Sequence, residues 1–445
     1  MSSVLVLSHE RLGRAMTGPS IRNWQLAAAL SKHFRVTLAV PGQPQREHPG
    51  FQIRSSDDEA LAGLVADHDV VLCSGFLLDL HPVLRQARHL AIDLYGPFTL
   101  ESLHQHEDKP LQQRFRMAND ERAVVLRLLA AGDVFICASE RQRDFWTGWL
   151  GAAGRLNPYV HSWDPSLRSL LREVPFGVEE EPPRPGPPRF RGVKPGIAAD
   201  DFIVLWYSGI WNWFDPLTLI RAADRVRERL PKLRLVFATP VSPSEAVIQG
   251  GMVWRARRLA EDLGLLESVV FFGDTFIDYE ERGSVLLEAD LCANLYFDDV
   301  ETRYSFRTRL LDLFWAGRPI LTTRGDVLSD LVAAEGAGVA VRSEDLDGVA
   351  AALLELGGDP ARLRECGLRS AEIGKRFRWS LVTEPLIDYC RAPFTAPDRA
   401  LMRKSQTSPT AWRLARRTVF LLREEGPAGV FRGALRRFRR RRRLR

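Results

Sequence analysis

Residues 202–216 read FIVLWYSGIWNWFDP, and residues 202–207 form an apolar and aromatic run without polar alternation. A run of this length and composition is typical of a strand that is buried on both faces of a parallel sheet. Gly209 follows the run, and residues 216–230 have the apolar spacing of a helix. The segment therefore predicts a strand, a glycine-containing loop and a helix, which is the repeating unit of a doubly wound α/β domain.

The same unit recurs in both halves of the chain. In the second half, further strands are predicted at residues 233–238, 269–272, 291–295 and 319–322. In the first half, strands are predicted at residues 4–7, 36–40, 70–73, 90–93 and 134–137, with helices at 20–33 and around 118–131. The fold prediction is α/β, with two Rossmann-like doubly wound domains that face each other across a cleft. Ligands of such sheets bind beside the carboxyl ends of the strands.

Changes in composition set the predicted boundaries. Residues 179–196 are rich in Glu, Pro and Gly, which is typical of a linker or surface segment. We predict a first domain at 1–178, a linker at 179–200, a second domain at 201–370, a helical segment at 371–395 and a basic amphipathic tail at 396–445.

Composition excludes several classes of protein. Of 445 residues, 45% are apolar and 27% charged, which is ordinary for a globular protein and unlike a disordered or collagenous chain. The five cysteines are scattered, odd in number and never in a CxxC pattern, so we expect reduced thiols in the cytosol and neither zinc nor disulfides. No GxGxxG fingerprint follows the first strand, which argues against a dinucleotide cofactor.

Charge is distributed unevenly along the chain. Residues 396–445 carry 16 basic and three acidic side chains, a net +13, which leaves −7 for the rest of a chain whose total is +6. The acidic body argues against nucleic-acid binding by the folded domains, and the basic tail favours an anionic partner.

Six short segments resemble one known family in their order and spacing. They are Gly18-Pro19-Ser20-Ile21-Arg22, Asp93-Leu94-Tyr95-Gly96-Pro97-Phe98, Cys137-Ala138-Ser139-Glu140-Arg141-Gln142, Val174-Pro175-Phe176-Gly177-Val178, Gly209-Ile210-Trp211-Asn212-Trp213-Phe214-Asp215-Pro216 and Ser305-Phe306-Arg307-Thr308-Arg309-Leu310-Leu311-Asp312-Leu313-Phe314-Trp315-Ala316-Gly317-Arg318-Pro319. Over roughly residues 1–395 the chain resembles glycosyltransferase family 4, whose members use nucleotide sugars and have the GT-B architecture. The resemblance implies an acceptor-side first domain, a donor-binding second domain and hexosyltransferase activity in envelope or polysaccharide biosynthesis.

The second domain contains the expected donor site. A diphosphate requires backbone N–H groups, a helix N-terminus and cationic side chains. Candidate residues are Gly209, Gly273 and Trp213 in loops, and Ser305, Phe306, Arg307, Thr308 and Arg309 at a helix start. We expect Ser305 or Thr308 to cap this helix and at least one of Arg307 and Arg309 to bind phosphate. The alternative is a surface ion pair with Glu301 or Asp312.

Departures from the family pattern affect the same site. By resemblance, Asp312 stands where a ribose-binding glutamate is usual, but Tyr304 replaces the first glutamate of the family's Glu-x7-Glu pair. Ile210 replaces the usual arginine after Gly209, and the usual lysine is missing as well. A literal Glu-x7-Glu at Glu280 and Glu288 lies on another element, and we interpret it as chance.

Candidate catalytic residues of the first domain are Asp93 and His9, which follow strands; Gly18 and Tyr95 are acceptor-side candidates. A helix-cap or turn residue is the alternative for Asp93, and a surface or packing residue is the alternative for His9. The resemblance implies a retaining transfer in which the leaving diphosphate itself accepts the proton of the acceptor. No metal or other cofactor is expected, because the sequence lacks an HExxH motif and a clustered His/Cys set.

The tail predicts a partner of its own. Trp412, Ala415, Val419 and Leu422 recur at helical spacing among arginines, and a block of arginines spans residues 439–443. We expect residues 410–445 to bind an anionic membrane surface, against the alternatives of a solvated tail or nucleic-acid binding. The predicted location is the cytoplasm, with peripheral attachment to the inner face of the plasma membrane and a glycan or lipid-linked acceptor.

Two other functions remain open from the sequence. The missing glutamate and the missing basic residues after Gly209 are compatible with a non-catalytic, GT-B-like binding partner. A sugar-nucleotide epimerase of related fold is the second alternative, and it would need acid and base residues around the sugar.

Overall fold

The computed structural model describes residues 2–13, 16–107, 109–207, 209–239, 251–273 and 277–405, with the backbone only at Asp58, Gln105 and residues 403–405. It divides into a body, Met1–Pro397, and a C-terminal unit that begins at Asp398. The first part of the body contains a seven-stranded sheet with the order β3-β2-β1-β4-β5-β6-β7, and every pair in it is parallel. Its strands are β1 (Ser3–Leu7), β2 (Arg35–Val40), β3 (Gln52–Ser55), β4 (Val70–Ser74), β5 (His89–Asp93), β6 (Val134–Cys137) and β7 (Leu171–Glu173).

Helices lie between most consecutive strands of this sheet. They are α1 (Gly18–Ser31), α2 (Asp58–Asp67), α3 (Leu77–Leu80), α4 (Phe98–Gln105), α5 (Leu111–Leu129), α6 (Glu140–Ala152) and α7 (Pro158–Trp163), with a 3-10 turn at Pro82–Gln86.

The second part of the body contains a six-stranded parallel sheet with the order β10-β9-β8-β11-β12-β13. Its strands are β8 (Phe202–Trp206), β9 (Leu233–Phe237), β10 (Val270–Phe272), β11 (Leu291–Asn294), β12 (Ile320–Thr323) and β13 (Gly338–Val341). Its helices are α8 (Pro216–Val226), α9 (Met252–Asp262), α10 (Arg282–Leu287), α11 (Val300–Tyr304), α12 (Thr308–Trp315), α13 (Val327–Glu335), α14 (Leu346–Gly358) and α15 (Pro360–Lys375), with a 3-10 turn at Tyr279–Glu281.

The prediction of two doubly wound domains is confirmed. In each sheet the strand order reverses beside the first strand of the domain, between β1 and β4 and between β8 and β11. Loops diverge at such a switch point and leave a crevice at the carboxyl ends of the strands. Both crevices border the space between the domains, so this cleft is where a site is expected.

The chain between the two sheets is fixed by one carboxylate. Glu288 accepts hydrogen bonds from the backbone N–H groups of Arg189, Phe190 and Arg191 at 2.8–3.0 Å. Glu280, eight residues earlier, forms an ion pair with Arg46 of the first domain. The interpretation of this Glu-x7-Glu pair as chance therefore agrees with two separate structural contacts.

The last helices of the body return to the first domain. They are α16 (Trp379–Val382) and α17 (Glu384–Arg391). Val178 donates a backbone hydrogen bond to Phe377 and accepts one from Trp379, at 2.7 and 3.0 Å. A Cβ at Gly177 would lie 2.6 Å from the Trp379 ring, so the absence of a side chain lets the two segments approach.

All five cysteines are buried and free of disulfides. Of the C-terminal unit, the structure describes α18 (Arg399–Ser405). The predicted membrane-binding segment, residues 410–445, lies outside the described residues. Within the described part of the chain, no helix combines the length and apolarity that crossing a bilayer requires.

Candidate active site

The first turn of α12 lies at the cleft and carries Arg309, a half-buried cation near Tyr95 of the first domain. Its guanidinium carbon stacks 4.1 Å from the centre of the Phe214 ring. Its electrostatic neighbours are Arg307, Tyr207 of the second domain and Tyr95 of the first. Arg309 Nη1 is buried and has no hydrogen-bond partner among the described residues. This guanidinium therefore stacks on an aromatic ring, and no carboxylate of the described residues forms an ion pair with it.

The surroundings of Arg309 disfavour its charge. Burial, and then repulsion from Arg307, lower the pKa of Arg309 from its ordinary value to about 9. The side chain still carries its proton at neutral pH, but the free energy of the charged form is raised. An anion that entered the cleft would relieve this cost, which makes Arg309 the strongest candidate for phosphate contact.

Arg307 has a different environment from the one expected. It is 7% exposed and forms a fork with Glu301, with Nη1–Oε1 and Nη2–Oε2 distances of 3.1 and 2.6 Å. Its guanidinium also stacks 4.5 Å from the centre of the Tyr296 ring. For Arg307 the structure therefore shows the alternative interpretation, an ion pair with Glu301. This pair is buried, whereas a surface pair was expected.

The predicted caps of α12 are wrong. Arg307 occupies the N-cap position, and no side chain caps this helix. The Ser305 hydroxyl donates to Glu301, Thr308 is the first helical residue, and Phe306 is buried against the core near Phe377. The cause is the short helix α11, because Ser305 is its C-cap and the Ser305 hydroxyl donates to Glu301 in the first turn of that helix. No side chain caps the first turn of α12, where the N–H groups of Thr308 and Leu310 donate to the carbonyl oxygens of Phe306 and Arg307.

Asp312 lies one turn further along α12 and belongs to an ion network. Arg282 Nε is 3.3 Å from Asp312 Oδ1, and Arg282 also pairs with Glu179 of the interdomain segment. Arg282 is held between the rings of Tyr279 and Trp315, with centroid distances of 3.8 and 4.6 Å. Burial raises the pKa of Asp312, against the lowering effect of Arg282. Asp312 is half-buried, and Arg282 compensates part of its negative charge. Such a carboxylate can accept hydrogen bonds from the hydroxyl groups of a ligand.

The loop candidates lie at strand ends of the second sheet. A Cβ at Gly273, directly after β10, would lie 2.2 Å from the Ala238 carbonyl oxygen, so no side chain fits there. Gly209 follows β8, and a Cβ there would be 3.7 Å from the Thr239 carbonyl oxygen. Trp213 is half-buried and stacks on Trp211 at 5.4 Å with an interplanar angle of 1°, whereas Phe214 is in the core.

In the first domain, Asp93 is fully engaged. It is 5% exposed and accepts hydrogen bonds from Arg22 Nε and Nη2 at 2.5 and 3.1 Å and from the Tyr95 backbone N–H at 3.1 Å. Arg22 in turn donates to the carbonyl oxygens of Val174 and Pro175. Asp93 therefore fixes the loop that carries Tyr95, and its carboxylate has little capacity left for a substrate.

The remaining first-domain candidates border this loop. A Cβ at Gly18, the first residue of α1, would lie 3.6 Å from the Tyr95 hydroxyl. The side chain of His9 is 41% exposed, and its Nε2 is 3.8 Å from Glu10 Oε1. The Glu10 carboxylate accepts hydrogen bonds from the hydroxyl groups of Thr17 and Ser20. The structure thus brings Gly18 and Tyr95 together, and it leaves His9 in an open loop.

Glu101 follows Asp93 and Tyr95 among the polar residues after β5, and its sequence position alone gives it no specific role. It lies in the first turn of α4, and its electrostatic neighbours across the cleft are Glu301 and Arg307 of the second domain. Burial, with the repulsion of Glu301 added to it, raises the pKa of Glu101 to about 7. Its place directly after the Asp93–Phe98 segment is the sequence signal that marks it.

Contacts between the domains flank this cleft. Gln142 Nε2 donates to the Tyr304 carbonyl oxygen at 3.1 Å, and Arg141 Nη1 donates to that of Gly325 at 2.8 Å. Gln25 Nε2 reaches the Tyr279 hydroxyl at 2.8 Å. The cleft residues therefore occupy a bounded space between two joined domains.

Comparisons with known proteins agree with this architecture. The chain matches no protein-family model. It is 27% identical over 239 residues to a curated D-inositol 3-phosphate glycosyltransferase of Nocardiopsis dassonvillei, with 51% of each chain covered. The chain thus spans about half the length of this relative.

Solved structures match over most of the body. Sucrose-phosphate synthase from Thermosynechococcus elongatus is 18% identical, with a TM-score of 0.65 over 88% of this chain and 98% of that one. HepE from Anabaena, solved in complex with UDP and glucose, is 13% identical, with a TM-score of 0.60 over 88% and 100%. The chain therefore has the GT-B fold of nucleotide-sugar glycosyltransferases.

Proposed function

We propose that this protein is a glycosyltransferase that moves a hexose from a nucleoside diphosphate sugar to a glycan or lipid-linked acceptor. The observation that carries the proposal is Arg309, a partly buried guanidinium without a carboxylate partner in the described structure, at a helix start and a strand-end cleft. A helix N-terminus with such a cation is suited to the two phosphates of the donor. The likeness to the Nocardiopsis glycosyltransferase and the UDP complex of HepE support the same ligand class.

Arg309 would replace the family's basic residues after Gly209. Its guanidinium lies against Phe214, which belongs to the same loop as Gly209 and Ile210. In the family pattern the positive charge lies in the loop after Gly209, whereas in this chain it would lie at the start of α12, at the same cleft. As the bond between sugar and diphosphate breaks, negative charge grows on the leaving oxygen, and Arg309 and the α12 N–H groups would stabilise it.

The other donor contacts follow from the positions of Asp312 and Gly273. Asp312 would accept hydrogen bonds from the ribose hydroxyls, with Arg282 fixing its orientation. The Gly273 backbone, without a side chain, would lie along the base. Trp213 would stack on the sugar or base, and Arg307 would stabilise the α11–α12 junction through Glu301 instead of binding phosphate.

In the acceptor half, Tyr95 and Gly18 would line the acceptor path. Asp93 would act as a positioning residue, because its carboxylate is already held by Arg22 and the Tyr95 N–H. His9 has the exposure needed to meet a substrate directly. We propose a retaining transfer without a metal, in which the protein orients the reactants in the cleft.

The tail supports a cytoplasmic enzyme that attaches to the inner face of the plasma membrane. The arginine-rich residues 410–445 would bind anionic lipid and hold the cleft near a membrane-linked acceptor. This attachment is a separate proposal from the donor site, and it has its own test below.

The donor proposal is tested by thermal unfolding of the full chain with UDP-, GDP- and dTDP-sugars. We expect one nucleotide series to raise the Tm and the matching sugar to be released or transferred when membrane extract is added. No stabilisation by any nucleotide would favour the non-catalytic alternative. Binding with conversion of UDP-N-acetylglucosamine into its epimer would favour the epimerase.

A further inference from the structure

The side of α4 that faces the second domain carries a carboxyl group in an unusual position. Glu101 and His104 lie one helical turn apart, and His104 forms an ion pair with Asp299, the N-cap of α11. Glu101 lies opposite Glu301 and Arg307. The helix therefore presents both side chains to the donor-binding domain, with Glu101 nearer the loop that holds Tyr95.

Glu101 differs from the other carboxylates of the cleft because, within the described part of the chain, it forms no ion pair of its own. Asp93 is held by Arg22, Glu301 by Arg307, and Asp312 by Arg282. Among the described residues, none donates a hydrogen bond to the Glu101 carboxyl. A Cβ built at Gly96 would lie 3.4 Å from Glu101 Oε1, so the carboxyl lies against the backbone that leads from Tyr95.

We infer that Glu101 accepts the proton of the acceptor hydroxyl during glycosyl transfer. The inference rests on the proposed function. The acceptor O–H bond breaks, its proton goes to a Glu101 oxygen, and the acceptor oxygen bonds to the anomeric carbon. The bond from that carbon to the diphosphate oxygen breaks, and its electron pair leaves with the diphosphate beside Arg309. The proton therefore ends on the protein and not on the leaving group.

The electrostatics of the site suit this task. Burial is the main cause that raises the pKa of Glu101, and repulsion from Glu301 adds to it. Arg307 opposes both, and the resulting pKa is about 7. Tyr95, in the loop after β5, is another titratable neighbour of Glu101. Two nearby groups have partners of their own: Glu121 on α5 accepts a hydrogen bond from Ser102, and His104 pairs with Asp299. A base with a pKa near the working pH combines a sufficient ionised fraction with the ability to hold a proton.

The test uses the full-length protein and hydrolysis of UDP-glucose, in which water is the acceptor. We expect the rate of UDP release to rise with pH through about 7 and then level off. Glu101→Gln should lower the rate by about 10²-fold and abolish this rise, because a general base contributes roughly that much. UDP should bind the variant as it binds the unsubstituted protein.

Glu121→Gln is the matched control. Glu121 is also a partly buried carboxyl with a raised pKa, but it lies on α5 and is bonded to Ser102. We expect this variant to keep the rate and the pH profile. An unchanged rate and profile in Glu101→Gln would overturn the inference, whereas failure of UDP to bind the unsubstituted protein would overturn the proposed function.

A second measurement needs no turnover. Folding raises the pKa of the Glu101 carboxyl, so between pH 4.5 and about 7 the folded protein binds more protons than the unfolded chain. The stability of the fold therefore decreases as the pH rises through this interval. The Tm of Glu101→Gln minus that of the unsubstituted protein should therefore increase from pH 4.5 to 7 and stay constant above. A difference that does not change with pH would show an ordinary ionised carboxylate and would contradict the inference.

Discussion

Arg307 and Arg309 are two residues apart, and their surroundings are opposite. Arg307 is buried with Glu301, so its charge is compensated inside the protein. Arg309 stacks on Phe214 and has a nitrogen without a partner in the described structure. Sequence alone could not separate them, because the partner of Arg307 is set by the turn between α11 and α12. The motif identified the segment, but only the geometry shows which arginine is available to a ligand.

The pair of Asp93 and Arg22 provides a stability prediction at this scale. We expect Asp93→Asn to destabilise the protein by about 3–5 kcal/mol, because removing one partner leaves Arg22, which is 1% exposed, without its counterion. Chemical denaturation of the full chain measures the change.

The control for this prediction is Asp388→Asn, since Asp388 forms an exposed pair with Arg391. Exposed pairs contribute about 0–1 kcal/mol, so this substitution should change little. An equally small effect of Asp93→Asn would show that Asp93 is not the anchor of the Tyr95 loop.

At the level of elements, apolar runs predicted the strands that lie inside each sheet and one edge strand, β10. The strands β1, β2, β4, β5 and β6 and the strands β8 to β12 all fall on predicted runs. The other edge strands, β3, β7 and β13, fall on no predicted run. Gln52–Ser55 is an edge strand with exposed and half-buried residues, β7 has three residues, and β13 begins with a glycine. Their pairing comes from the neighbouring strand and not from a local pattern.

Helix ends were less predictable than strands. The helix expected at 20–33 begins at Gly18, where Pro19 at its first turn favours the start. The helix start at α12 was located correctly, but its caps were not, because Glu301 takes up the Ser305 hydroxyl. Side-chain competition of this kind depends on tertiary contacts that no spacing rule contains.

Gly273, at the end of β10, gives a prediction for an element boundary. Gly273→Ala should destabilise the protein by about 1–3 kcal/mol, because its Cβ would meet the Ala238 carbonyl oxygen at 2.2 Å and the backbone must shift. Gly63→Ala, inside α2 and with no atom within 4 Å of the added Cβ, should leave stability unchanged or raise it by about 0.5–1 kcal/mol. Thermal unfolding compares the two, and equal behaviour would refute the steric account.

At the scale of the whole molecule, the charge of the chain is segregated. The net +13 of residues 396–445 contrasts with the acidic remainder. Attraction of about 1 kcal/mol per basic residue near an anionic surface would suffice for reversible attachment. The prediction follows from composition and is independent of the structure of the body.

The membrane prediction is tested in the full chain by changing Arg439, Arg440, Arg441, Arg442 and Arg443 to Gln. Co-sedimentation with vesicles of phosphatidylglycerol and phosphatidylcholine should decrease at least tenfold, and binding of the unsubstituted protein should weaken as salt rises. Vesicles of phosphatidylcholine alone are the control. Equal sedimentation of both proteins with anionic vesicles would contradict the prediction.

The central claim is that Arg309 contacts the diphosphate of a nucleotide sugar, and calorimetric titration with UDP and uridine tests it most directly. Arg309→Gln should weaken UDP binding by about 10–100-fold, because a charged hydrogen bond contributes about 1.5–3 kcal/mol, and should leave uridine binding unchanged. Arg303→Gln, at an exposed position of α11, should bind UDP as the unsubstituted protein does. Equal UDP affinity in Arg309→Gln and the unsubstituted protein would contradict the claim.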